Sequence, residues 1–176
     1  MSGATVSDSS SAGRTTALRA AIVVAVVALD QLTKVAVDRA LALYERIPIT
    51  SFFNLTKAYN EGAAFSFLSS AGGWQRWLFT VVSAVVSVVL VIWLRRMGPE
   101  ERWLGVSIAL ILGGALGNLI DRVIYGHVVD FVQLYWRDWY FPSFNVADSA
   151  ITCGAAILIA LTLFEKPEES TATPPG

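Results

Sequence analysis

One cysteine and one histidine leave this chain with little of the usual equipment for redox or metal chemistry. Cys153 alone forms no intrachain disulfide, and Cys153 with His127 cannot supply a multi-cysteine or histidine-rich metal centre. No cofactor or metal is therefore expected. Charge is scarce as well. Asp, Glu, Lys and Arg make up 15% of the residues, against roughly 25% in soluble domains. A formal net charge of -1 offers no basic surface for nucleic acid and no surplus for an acidic partner. No internal repeat is present. What the chain has in quantity is apolar surface: 55% of its 176 residues are hydrophobic, and the mean hydropathy is +0.56. Together these point to one integral membrane domain.

Four apolar runs are long enough to span. They cover Ala17–Val37, Trp74–Leu94, Trp103–Ile120 and Val146–Phe164. At ~1.5 Å per residue, about 18 to 21 residues reach roughly 27 to 32 Å, enough for a bilayer core. All six tryptophans fall at the ends of these runs or in the connections, where interfacial belts form. The first run follows Arg14 and Arg19 and also has the look of a secretory signal peptide. Its helical pattern continues past the short apolar core, so an uncleaved signal anchor is the preferred reading. Residues 1–16 and 165–176 are polar or proline-containing and read as disordered tails around a domain at 17–164. Between the first two spans, Asp38 to Gly73 is too polar to cross. It has strand character within Ile49–Lys57, a turn at Tyr59–Gly62, a short apolar segment at Ala63–Leu68 and a loop at Ser69–Gly73. The expected fold is an all-α membrane protein of four transmembrane helices with a small strand-containing lobe on the membrane surface. Basic residues divide six against seven between the two faces and do not set the orientation; Arg14 and Arg19, flanking the first helix, favour a cytoplasmic N-terminus.

The polar residues that remain are concentrated. With four spans, the first and third connections lie on one side. That places Asp30, Lys34, Asn60, Asn118, Asp121, Arg122, Asp130, Asn145 and Asp148 near one membrane face. Acids at the edge of hydrocarbon are costly, and so are functional candidates. Asp30 and Lys34 have the i, i+4 spacing of a helix-stabilising ion pair. Gly113 and Gly117 form a small-xxx-small pair suited to close helix approach. Asn118, Asp121 and Arg122 form a polar clamp at the end of the third helix.

Several chemistries fail on context. His127 is the one candidate base for Ser-His-Asp catalysis, and Ser143 lacks a nucleophile-elbow setting. Cys153 lies inside the fourth span among small apolar residues and reads as inert packing. A carboxylate pair is the stronger proposal. Asp130 and Asp148 can share a proton, one taking a proton from water and the other donating to the oxyanion or leaving amine. In this assignment Asp148, in the first turn of the fourth helix, is ionised and Asp130 protonated. A plainer reading stands beside it. Asp148 with Asn145 has the spacing of a capping box, and Asp130 can be an exposed loop acid. A small proton-conducting transporter and a non-catalytic assembly factor are the rival functional classes.

The blocks DQLTK (Asp30–Lys34), YNEGAAFSFL (Tyr59–Leu68), GGALGNLIDRVIYGHVVDF (Gly113–Phe131) and FPSFNVADSAITCG (Phe141–Gly154) resemble, in order, the signature blocks of lipoprotein signal peptidase (signal peptidase II). The resemblance implies a four-helix aspartic endopeptidase of the bacterial cytoplasmic membrane. Such an enzyme cleaves diacylglyceryl-modified prolipoproteins just before the lipidated cysteine. By motif position, Asp130 and Asp148 match the catalytic aspartates. Asp30, Lys34, Asn60, Gly62, Asn118, Arg122 and Asn145 match positions that orient the substrate or support the site. It further implies cytoplasmic termini, a site toward the extracytoplasmic face, contact with membrane lipid, and inhibition by globomycin.

Overall fold

The protein is described here from a computed structural model covering residues 5–62 and 74–164. Eight elements follow in the order α1 (Thr5–Ala40), β1 (Arg46–Pro48), β2 (Phe53–Asn60), α2 (Trp74–Arg96), α3 (Arg102–Ile124), β3 (Val128–Trp136), β4 (Trp139–Tyr140) and α4 (Val146–Phe164). Each helix is long and apolar enough to cross a membrane, with spanning windows of mean hydropathy 1.9 to 2.5. The four expected spans are all present. Their boundaries differ at the first. α1 begins at Thr5 rather than Ala17, so the expected disordered tail is helical from Thr5 onward. Hydropathy marks where a helix enters hydrocarbon, not where its backbone hydrogen bonding starts. The apolar segment at Ala63–Leu68, the loop to Gly73 and the tail at 165–176 lie outside the described residues.

α3 is the central post. It packs on α1, α2 and α4, and 56% of its spanning window is buried against 11% for α2. In lipid no hydrophobic effect drives helices together, so close van der Waals fit and interhelical hydrogen bonds must do it. The α3 glycines supply the fit. A Cβ added at Gly113 would meet Val26 of α1 at 2.7 Å, and one at Gly117 would lie 2.6 Å from Asp30 Oδ2. The expected small-residue pair is thus the seam with α1. Gly114, between them, faces α4 and abuts the carbonyl of Ala147 and the side chain of Ile151. One turn or two further on, Ser107 Oγ donates to the carbonyl of Gly154 at 2.8 Å. Leu90, Ile108 and Leu112 form the apolar cluster that joins α2 to α3.

The lobe is larger than the sequence suggests. β1 to β4 form a four-stranded antiparallel sheet in sequential order. β1 and β2 come from the α1–α2 connection, β3 and β4 from the α3–α4 connection, so the two connections on this face are hydrogen-bonded together. β3 escapes a pattern search because Val128 to Phe131 is buried on both faces and shows no period-two alternation. β2 also runs through Tyr59 and Asn60, expected as turn; the chain reverses after them, with Gly62 at φ 106°. Val37 of α1, Leu41 just after it and Phe131 of β3 are buried against Leu55, Val132 and Val146, which seats the sheet on the helix ends.

A β-bulge sets the register that matters. Leu55 pairs with Val132, yet Ala58 pairs with Asp130, so β2 carries one extra residue between them. An uninterrupted ladder would set Lys57 opposite Asp130 and turn Asn60 to the other face. The bulge puts Asn60 on Asp130's face.

The packing predicts a contrast between two helical glycines. Gly114→Ala should lower stability by about 1–3 kcal/mol through overpacking against α4. Gly13→Ala, with nothing within 4 Å of the new methyl, should leave it unchanged or slightly raised. Thermal unfolding of both variants in detergent checks this.

Candidate active site

A buried ammonium anchors the site. Lys34, at 3% exposure, lies 2.7 Å from Asp30 Oδ2 and 2.9 Å from Asp121 Oδ2. It also donates to Asn118 Oδ1 at 2.9 Å. The expected Asp30–Lys34 pair is therefore present, but as part of a set of groups shared by α1 and α3. Asp30 has a second task. Its Oδ1 accepts the backbone N–H of Ala147 at 2.9 Å, satisfying a free donor at the start of α4 from another helix. Asp121 Oδ1 accepts from Gln31 Nε2 at 2.8 Å, and its Oδ2 accepts the N–H of Val129 at 3.4 Å. Gln31 also reaches the carbonyl of Gly117 at 3.2 Å. The sequence reading left Gln31 unassigned. Its signal was its place three residues before Lys34, on the same helix face.

Lys34 determines how Asn118 is turned. An ammonium only donates, so Asn118 must present its oxygen to Lys34. The Asn118 amide nitrogen then points the other way, where it donates to Asp148 Oδ1 at 2.8 Å. Asn60 is fixed by the same logic. Its Oδ1 accepts the N–H of Gly62 at 2.9 Å, and its amide nitrogen donates to Asp130 Oδ2 at 3.0 Å. Gly62 permits this turn through its positive φ and its closeness to the Phe79 ring, which leaves no room for a side chain.

Asn145 joins the two carboxylates. It is fully buried at the start of α4. Its amide nitrogen donates to Asp130 Oδ1 at 2.7 Å. Its backbone N–H donates to Asp148 Oδ2 at 3.2 Å, and its Oδ1 accepts the N–H of Asp148 at 3.0 Å. The last two bonds are a reciprocal capping box. The capping reading of Asp148 thus holds, and the same carboxylate faces the site. The exposed-loop reading of Asp130 does not hold, because Asp130 is 3% exposed within β3. Burial, and after it the neighbouring Asp148 charge, push the Asp130 carboxyl up to about 7. The donors from Asn60 and Asn145 act in the opposite direction without cancelling these effects.

His127 and Cys153 fall outside this cluster. His127 stacks on Tyr59 with ring centroids 3.9 Å apart; Tyr59 pairs with Val129 and so lies on the sheet face opposite Asp130. Cys153 is exposed on the outside of α4 rather than packed inside it. Arg122 lies over the Phe79 ring at 5.7 Å and donates to the carbonyl of Asn118 at 3.3 Å. Arg76 closes the end of α3 by donating to the carbonyls of Arg122 and Val123.

Removing the ammonium isolates two buried acids. Lys34→Met should cost about 3–5 kcal/mol and lower the melting temperature in detergent accordingly. A variant that melts like the wild type would mean that Lys34 is dispensable to the bundle.

Comparison with known proteins finds relatives over most of the chain. A sequence model of the signal peptidase (SPase) II family matches residues 22–164, the span that holds the latter part of α1, all of α2 to α4 and the carboxylates. The lipoprotein signal peptidase of Pseudomonas syringae pv. tomato is 56% identical over 146 residues, covering 82% of this chain and 84% of that protein. That of Pseudomonas aeruginosa strain UCBPP-PA14 is 52% identical over 153 residues, covering 86% and 90%. Among solved structures, a bacterial membrane enzyme determined by the in meso method superposes with a TM-score of 0.77 at 30% identity, covering 89% of this chain and 94% of the other. With helices, blocks and backbone in agreement over nearly the whole described length, this multi-pass bacterial membrane protein belongs to the signal peptidase II family of peptidases.

Proposed function

We propose that the protein is an aspartic endopeptidase that removes the signal peptide from diacylglyceryl-modified prolipoproteins, cleaving before the lipidated cysteine. The observation that carries the mechanism is the position of Asn145. One residue hydrogen-bonds both Asp130 and Asp148, so two acids from β3 and α4 meet at one point.

The roles follow from the surroundings. Burial and a second carboxylate push Asp130 up to about 7, which keeps a protonated population at neutral pH and suits it to the role of acid. Both its oxygens already accept amide N–H bonds, from Asn60 and Asn145. Its own proton is therefore free to point toward substrate. Asp148, half-buried at the first turn of α4, is assigned the role of base that takes a proton from water. Water attacks the peptide carbonyl, and Asp130 donates to the oxyanion or the leaving amine. Asp30, Lys34 and Asn118 orient Asp148 from behind. Asn60, Gly62 and Asn145 orient Asp130. Arg122, beside Asn118, positions the substrate. The diacylglyceryl chains remain in lipid while the sheet covers the peptide. In this reading the termini are cytoplasmic, the carboxylates face the extracytoplasmic side, and globomycin inhibits by occupying the carboxylate pair.

Purified protein in detergent should cleave a diacylglyceryl-modified prolipoprotein. Asp130→Asn and Asp148→Asn, each verified as folded, should each lose ~10³-fold or more in kcat/KM. Full activity in either variant would reduce that aspartate to a structural role.

The titration of Asp130 gives a second expectation. As the acid, it must be protonated, so the rate should fall as pH rises through about 7. Its folded value lies above the ordinary 3.8, so the folded state holds the extra proton and stability should fall as pH rises from about 4 to about 7. Asp130→Asn should flatten that part of the melting-temperature profile. A wild-type profile already flat across this window would count against the assignment.

A further inference from the structure

The end of the bundle away from the carboxylates carries a polar feature that peptide cleavage does not use. A cavity of about 370 Å³ lies between the first turns of the α1 span and the start of α3, lined by Arg14, Thr15, Leu18, Arg19, Arg102 and Val106. The lining is layered. Arg14 and Leu18 are one turn apart on α1, and Arg102 and Val106 are one turn apart on α3. On both helices the arginine is nearer the helix start and the aliphatic residue one turn deeper. Two guanidinium groups therefore flank the rim, with aliphatic surface below them. Trp103, beside Arg102, is 66% exposed, as befits headgroup depth.

The inner wall is cationic as well. Arg19 is 4% exposed. It donates to the carbonyls of Met97 and Gly98 at 3.3 and 2.8 Å and to that of Glu101 at 3.1 Å, which staples α1 to the α2–α3 connection. Its Nε is buried and has no hydrogen-bond partner among the described residues. α3 also starts here, and Glu101 at its N-cap makes no side-chain capping bond, so the positive end of a long helix dipole adds to the field. Glu100 and Glu101, at this end, are not in the lining; Glu101 instead accepts the N–H of Gly98 at 2.8 Å.

We infer that this cavity binds an anionic phospholipid, with the headgroup phosphate between Arg14 and Arg102 and an acyl chain running inward past Leu18 and Val106. Guanidinium groups suit phosphate through paired, charge-assisted hydrogen bonds. Basic pockets between spanning helices are where anionic headgroups are held. Scattered interfacial arginines would give attraction to the surface without a cavity or an aliphatic continuation. Here two helices distant in sequence bring both to one place. The site is remote from the carboxylates, so the inference does not depend on the peptidase mechanism.

The test is native mass spectrometry of the full chain in detergent, with phosphatidylglycerol or phosphatidylcholine of matched acyl chains. The wild type should retain phosphatidylglycerol preferentially. Arg14→Gln/Arg102→Gln, at two exposed side chains, should lower that retention about tenfold or more. Arg95→Gln/Arg96→Gln removes equal charge from the same end but outside this cavity, and should bind as the wild type does. The single variants at Arg14 and Arg102 serve as a second measurement should the double variant melt early. Equal retention of both lipids by the wild type would overturn the inference. So would equal losses in the two double variants, which would mean attraction to the whole face. Displacement of the lipid by millimolar inorganic phosphate alone would show a free-anion site and overturn the lipid assignment.

Discussion

A lysine ammonium inside a membrane bundle is tolerable only if its surroundings compensate for lost hydration. Lys34 meets that condition with oxygens from Asp30, Asp121 and Asn118, all within 2.9 Å. The consequences spread outward from this point. Asp30, held by Lys34, caps α4 by accepting the N–H of Ala147. Asp121, held by Lys34 and Gln31, accepts the N–H of Val129 and so fixes the start of β3 to α3. Asn118, turned by Lys34, directs its amide to Asp148. One cation thereby couples α1, α3, α4 and the sheet. The groups around it are costly individually and satisfied collectively, which makes their geometry close to all-or-none.

The rest of the bundle can accommodate such a cluster because its helices meet on small residues. Gly113, Gly114 and Gly117 bring α3 against both α1 and α4. Gly117 in particular makes the space that Asp30 occupies. Outside this seam α2 is largely apolar and outward-facing, with Val81, Val85 and Val88 each more than half exposed. The polar interior and the lipid-facing exterior are therefore separated by a single helix layer.

Asp148 caps a helix and faces the candidate site with one and the same carboxylate. The capping box fixes its rotamer through Asn145, and the same asparagine reaches Asp130. Rigidity of this kind is what a pair of acids needs, because small changes in their separation alter how they share a proton. The bulge in β2 contributes equally. By adding one residue it turns Asn60 toward Asp130 and Tyr59 toward His127.

Hydropathy, tryptophan placement and the alternation of spans determined four helices and one polar face, since hydrocarbon excludes charge regardless of tertiary detail. Spacing alone determined the Asp30–Lys34 pair and the Asn145–Asp148 box, because both are local to one helix. The long blocks from Gly113 to Phe131 and from Phe141 to Gly154 identified the family and nominated Asp130 and Asp148. The sheet was only half legible. Val128 to Phe131 is buried on both faces and so lacks the period-two alternation that marks a strand. The role of Gln31, the direction of Gly114 and the burial of Asp130 were not legible at all. Each depends on which helix or strand lies opposite, and a one-dimensional pattern carries no such information. Tertiary structure decided those, and with them the turning of Asn118 and Asn60, because an amide's direction is set by whether its neighbour can only donate or only accept.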